Sequence, residues 1–411
     1  MPTKTSAALA GFVSFLAITL LTIVDIRRGF LFASYPVRTL FYVLTPAHAA
    51  MLTIGLAGAY ASYASLRRVE AGASDAVRMV RPLAFIIAAL LVVDLFAYRG
   101  VPAARSIAAG RVNVDWLNAF GVTGCLRPAA QATSYLLNVW HATFIGVLMS
   151  GLTLTILTRW IGPYLTRQGL AGSIFGALFA LPQPFCSCCS SVMAPSLVRR
   201  GASTNFILAF VLGAPMLNVT TIVLAIALLP APFAALRIGA GAAIAVIVTA
   251  VVARLVPASA PAAAPWFRGL DVDALAGAPG IDRPSKMIAA WLRASGRIAI
   301  VLVPTLWIWS VVAAMLFQLM PPAFGNNAAT VVVAAVAGTF FMISTWSEIP
   351  MALALIQSGF NGPAAALLVV LPAISLPCMV LLGGALQRFR LIATLSIAVM
   401  LVGVAAGVLF L

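Results

Sequence analysis

Three of the chain's five cysteines fall within four positions, in Pro184-Phe185-Cys186-Ser187-Cys188-Cys189, inside a stretch otherwise apolar enough to enter a membrane. Thiolates are soft ligands, and proline removes a backbone donor and breaks a helix, so this run sets soft side chains beside freed backbone polar groups. A small solute could be held there. The residues assigned to binding are Pro184, Cys186, Ser187, Cys188 and Cys189, with Asn218 after Gly213-Ala214-Pro215 and Ser375 between Pro372 and Pro377. Cys186 and Cys188 are also the candidate metal ligands. A structural zinc site fits poorly, since it wants four ligands and only His48 and His141 could complete one. Glu348, ahead of Ile349-Pro350, is the sharpest polar residue of all. An intramembrane carboxylate is costly unless paired, protonated or coordinating a cation, which makes Glu348 a candidate proton-coupling group. It could also cap a half-helix, because a carboxylate favours a helix N-terminus and proline suits the first turn. Cys125 and Cys378 read as packing residues. Asp94 reads as a structural group near a span end, within reach of Arg99, and His141 as either a cavity residue or a helix-packing histidine.

The elements that carry these residues follow from composition. With 63% hydrophobic and 8% charged residues in 411, no polar face remains to meet water, so the chain is an all-α polytopic membrane protein. The net charge of +16 comes from Lys and Arg scattered singly or in pairs between apolar runs. That pattern suits lipid head groups and the orientation bias of inner loops rather than nucleic acid. The cysteine spacing gives no framework for extracellular disulfides, and reduced thiols are expected. No Gly-x4-Gly-Lys-Ser/Thr run occurs, so ATP drive would need another subunit, and no cofactor is expected.

Apolar runs of about 20 residues predict about nine full spans. They are Ala7 to Val24, Phe41 to Leu66, Pro82 to Ala97, Ser134 to Leu157, Asn205 to Leu229, Ile238 to Leu255, Ile298 to Met320, Pro363 to Leu386 and Leu391 to Leu411. No good small-residue cleavage site precedes Asp25-Ile26-Arg27-Arg28, so the first reads as a retained span rather than a signal peptide. Two further stretches are interrupted: Ser173 to Val198 by Pro182, Pro184 and Pro195, and Thr330 to Gln357 by the polar run Ser344 to Pro350. Aligning Gly201 with Gly359 sets Ser190 against Glu348 and brings Pro215 within one residue of Pro372. The order of features repeats, and paired broken segments at matching places mark transport sites. If both are re-entrant hairpins, the basic loops fall on one side, the cytoplasmic one, and the second copy is inverted. The expected organisation is 1–132 for N-terminal spans, 133–256 for the first repeat, 257–290 for a cytoplasmic linker and 291–411 for the second repeat.

Pro184-Phe185-Cys186-Ser187-Cys188, followed by Pro195-Ser196-Leu197-Val198-Arg199-Arg200-Gly201-Ala202-Ser203, Ala209-Phe210, Pro215 and Asn218, resembles the signature of the ArsP-type permeases. That family joins trivalent organoarsenical efflux permeases to other predicted permeases. Glu348-Ile349-Pro350 and Gly359 are similar to its second half, and the resemblance runs from about Ser134 to Leu411. The chain departs from the pattern at Cys189, where a glycine is usual, and at Val192, where a proline is frequent. The resemblance implies an inner (plasma) membrane permease; its partners are a small-molecule solute and the lipid bilayer, and a homo-oligomer stays open. Added to the residues, it gives a secondary-active exporter of a small thiophilic solute, such as a trivalent arsenical, whose inverted halves rock about the hairpin tips. A permease for an unrelated solute, a membrane thiol oxidoreductase and a passive channel are the alternatives. The oxidoreductase would want a second cysteine pair in an outer loop, where only Cys125 is available, so an enzyme is not expected.

Overall fold

The computed structural model describes residues 2–29, 31, 45–70, 76–109, 120–183, 185–191, 193–199, 201–256, 282–318, 325–341 and 348–411. Among them every regular element is helical and no strand occurs. In chain order the first elements are α1 (Pro2–Arg28), α2 (Pro46–Val69), α3 (Ala76–Ala109), α4 (Arg127–Leu152) and α5 (Thr158–Leu165). Then come α6 (Gly169–Ala180), α7 (Ser187–Ser191), α8 (Ala194–Arg199), α9 (Thr204–Leu217), α10 (Val219–Leu228), α11 (Ala231–Ala242) and α12 (Thr249–Leu255). The last are α13 (Pro284–Gln318), α14 (Ala328–Phe340), α15 (Glu348–Gln357), α16 (Asn361–Ala373), α17 (Leu376–Leu386) and α18 (Phe389–Leu409). A helical fold is what a bilayer demands, because each backbone polar group must find its partner within the segment.

Eight stretches among the described residues are long and apolar enough to cross a membrane, and a ninth, from Gly124 to Leu152, is bent by 61° at Asn138. The expected interrupted stretches hold short helices, α6 to α8 in the first and α14 and α15 in the second, with residues 342–347 outside the described residues. Arms α6 (12 residues), α14 (13 residues) and α15 (10 residues) reach only about 15–20 Å at 1.5 Å per residue, less than a ~30 Å hydrocarbon core. Both second arms end in the same cap. Gly201 (φ 75°) and Gly359 (φ 82°) take the left-handed conformation open to glycine. Ala202 N–H donates to Leu197 O at 3.0 Å and Phe360 N–H to Leu355 O at 2.8 Å, the six-to-one bond of a Schellman turn in each case.

Two proline-interrupted spans form the centre. Thr204–Leu228 (α9 and α10) and Asn361–Leu386 (α16 and α17) are each 78% buried, against 11–44% for the other six long spans. Each contains a proline, Pro215 or Pro372, and turns extended a few residues later, at Asn218 (ψ 146°) and at Ile374 and Ser375 (ψ 153° and 162°). Proline removes the next ladder bond and so prepares both breaks. Around this centre, α4 packs along α13. Trp291 Nε1 donates to Leu148 O at 2.8 Å, and a Cβ on Gly151 would stand 2.2 Å from Ser295 Oγ. Small residues allow such approach where lipid supplies no hydrophobic drive between helices.

Two carboxylates at the ends of α1 and α2 are buried. Asp25 lies inside α1 and is fully buried, with His48 Nε2 at 2.8 Å and Leu31 N–H donating at 2.7 Å. Glu70, just past α2, is buried and accepts Ser285 N–H at 3.0 Å and the Ser285 hydroxyl, capping the start of α13 across 215 residues of sequence. A carboxylate here satisfies an orphan first-turn donor and complements the helix dipole. We expect Glu70→Ala to lower stability by about 1–2 kcal/mol, the usual cost of a lost N-terminal cap. Thermal melting of the purified protein would show it, and an unchanged melt would mean that this cap does not hold.

Candidate functional site

The first broken stretch meets the break of the second proline-interrupted span directly, and the second reaches the break of the first through Arg237. At the first tip, Cys186 is buried and its carbonyl accepts Ser190 N–H at 2.9 Å and Ser190 Oγ at 3.0 Å. Ser190 Oγ also donates to Val211 O on α9 at 3.0 Å. From the same turn Ser187 Oγ lies 3.4 Å from Ser375 Oγ, at the N-cap of α17, and Ser191 Oγ donates to Cys378 Sγ at 2.9 Å. Cys378 therefore belongs to the tip. The expectation of a mere packing role missed this, since its partner is 187 residues away. Ahead of the tip, Leu181 O accepts Val219 N–H at 3.2 Å, fastening the end of α6 to the start of α10.

At the second tip Glu348 opens α15 and is fully buried. Its Oε1 receives Arg237 Nη2 at 3.0 Å, from a guanidinium on α11 that is itself 1% exposed. Arg237 also donates through Nη2 to Pro215 O and through Nη1 to Met216 O, both at 3.1 Å. Asn218 Nδ2 donates to Ala214 O at 2.6 Å, while its Oδ1 accepts Thr221 N–H at 2.9 Å and caps α10. The break would otherwise strand three successive carbonyls, 214 to 216, in a dry interior. Asn218 and Arg237 supply the donors, and the cation also suits the helix's negative end. Arg237 Nε and Glu348 Oε2 remain without a partner among the described residues.

The first tip and Arg237, the partner of Glu348, both reach α9. Ser190 reaches it at Val211 and Arg237 at Pro215 and Met216, four to five residues on, or about 6–8 Å along the axis. Irregular backbone at membrane depth survives only where protein buries it or a cavity wets it, so two facing breaks mark the polar centre of the fold.

Residues 129–411 match the ArsP_1 family, described as predicted permeases. The chain belongs to that family. It is also 32% identical over 257 residues to the UPF0718 protein YraQ of Escherichia coli (strain K12), which covers 61% of this chain and 71% of that protein. No solved structure matches it significantly. The protein is thus a multi-pass membrane permease, a transporter of a small-molecule solute, and α1 to α3 precede the part the family describes.

Of the binding residues expected from the permease sequence, Cys186, Ser187 and Ser375 meet at the first tip and Asn218 lies at the break of the first interrupted span, while Glu348, the expected coupling residue, opens α15. Pro184, and the side chains of Cys188 and Cys189, lie outside the described residues, as do Val192, Ser344 to Ser347 and most of the linker. Arg237 was missed. Beginning that span at Ile238 left the arginine at its edge, yet α11 starts at Ala231, which makes it an isolated cation inside a permease span. Asp94 pairs with His141, Oδ1 to Nε2 at 2.6 Å, and the Tyr98 ring stacks on the imidazole at 4.3 Å. Arg28 lies 4.1 Å over the other ring and donates through Nε to Tyr98 O at 2.7 Å. This cluster ties together α1, α3 and α4, none of which carries a tip residue.

Proposed function

We propose that this permease is a secondary-active transporter of the cell's inner membrane. Its solute binds between the two tips and is exposed alternately to either side, with Glu348 as the proton-coupling carboxylate. The observation that carries this is that Ser187 and Ser191 reach Ser375 and Cys378 at one break while Glu348 holds Arg237, which ties the carbonyls of the other. The matched Schellman caps at Gly201 and Gly359 support two inverted repeats, 133–256 and 291–411, joined by a cytoplasmic linker at 257–290. Broken helices at the interface of such repeats are the usual place of binding in transporters. The thiols at Cys186, Cys188 and Cys189 suit export of a soft solute such as a trivalent organoarsenical, and Cys378 adds a thiol from the second half beside Ser191. Contact with one thiol at a time permits release, where a closed three-sulfur cage would trap the cargo.

Uptake into everted vesicles tests both parts. Cys186→Ser and Cys188→Ser are expected to lower methylarsenite transport at least about tenfold, the loss of roughly 1.4 kcal/mol of binding. Unchanged transport in both variants would remove the thiols from the mechanism. Glu348→Gln is expected to abolish the dependence on a pH gradient, and retained dependence would exclude it as the coupling site.

A further inference from the structure

Arg237 holds Glu348 with only one prong. Nε and Nη2 share an edge of the planar guanidinium, the edge that receives a carboxylate through two parallel bonds. Here Nη2 reaches Glu348 Oε1 at 3.0 Å, while Nε, on the same edge, and Glu348 Oε2 have no partner among the described residues. The guanidinium cannot shed its proton, and its other contacts are the neutral carbonyls of Pro215 and Met216. The helices packed on this pair, α9, α10 and α16, contain no Asp, Glu, His, Lys or Arg, and α11 and α15 contribute only Arg237 and Glu348. When Glu348 is neutral, nothing described nearby balances the buried cation, and an uncompensated buried charge is strongly disfavoured.

We infer that Arg237 is the binding residue for a second ligand, a small anion distinct from the soft solute at the thiols, which takes the half-engaged guanidinium edge in place of the Glu348 carboxylate. The ligand class is a carboxylate or tetrahedral oxyanion that can bond to Nε and Nη2 together. Glu348 is then an internal stand-in for this anion: ionised, it occupies the cation; protonated, it yields it. One proton on Glu348 and one anion on Arg237 enter together, so the loaded site keeps the charge of the empty one. This rests on the titration of Glu348 proposed above.

The test uses full-length protein in detergent, melted in a concentration series of methanesulfonate, which stays ionised in acid, with dimethyl sulfone as its neutral counterpart. Glu348→Gln is expected to be stabilised by methanesulfonate with a half-effect concentration at least about tenfold below that of the wild type at alkaline pH. The wild type should approach the variant in acid. Dimethyl sulfone should do nothing, and the double variant R237Q/E348Q should ignore both. An undiminished response in the double variant, or equal responses of wild type and Glu348→Gln at alkaline pH, overturns the assignment. If Glu348→Gln does not fold, the acid and alkaline melts of the wild type against the double variant decide, and the absence of any acid response overturns it. Proton-driven uptake surviving in Glu348→Gln would sink the coupling reading alone, since the anion response of that variant is measured without a gradient.

Discussion

Arg237→Leu is expected to destabilise the protein by about 3–5 kcal/mol, the usual cost of stripping one partner from a buried ion pair. The loss has two parts. Glu348, fully buried at the head of α15, would keep a carboxylate with no counter-charge, and the carbonyls of Pro215 and Met216 would lose their donors. The double variant R237L/E348L separates them, because it removes the stranded charge and leaves only the orphaned carbonyls. The two substitutions should therefore be strongly non-additive, with the double variant more stable than Arg237→Leu alone. Unfolding of the wild type, Arg237→Leu, Glu348→Leu and the double variant in detergent measures this. Additive losses would mean that the pair does not close as described.

Gly176→Ala is expected to uncouple the first hairpin from the core. Its Cβ would stand 2.3 Å from Phe206 O and 2.9 Å from the Cβ of Ala209, so α6 and α9 would have to part. Overpacking of this kind costs about 1–3 kcal/mol, and here the clash is against backbone, which cannot rotate away. The shift would also pull Leu181 O from Val219 N–H, the bond that sets α6 against α10 ahead of the cysteine tip. Transport should fall with stability. Gly296→Ala on α13 is the control: its Cβ meets nothing within 4 Å, and the gain in helix propensity makes it neutral or slightly stabilising. Equal behaviour of the two variants would contradict the close α6–α9 packing.

Much of the architecture was legible because the bilayer leaves so few options. Long apolar runs became spans, the first interrupted stretch became the short helices α6 to α8, and the glycines aligned at 201 and 359 came out with matching caps. Glu348 was legible for the same reason, as a carboxylate with no business in hydrocarbon unless it has a task. What one sequence hides is which distant residue answers it. Asp94 finds His141, Glu70 finds Ser285 and Ser191 finds Cys378, since these pairings depend on how helices rotate and cross. Arg237 lay in view but at a misplaced span edge, where a cation draws no notice.

The packing of α4 along α13 bears on how the chain could be cut. These helices stand on either side of residues 257–281, and their contact through Trp291 and Gly151 does not need that segment to be continuous. Two fragments, one ending at residue 256 and one starting at residue 282, should complement each other when made in the same cell. By the same logic, a transport cycle that preserves this contact cannot swing the front of the sequence against the back. Its moving boundary would run through both, with α4 and α13 as a shared frame and the hairpins with their interrupted spans as the parts that travel.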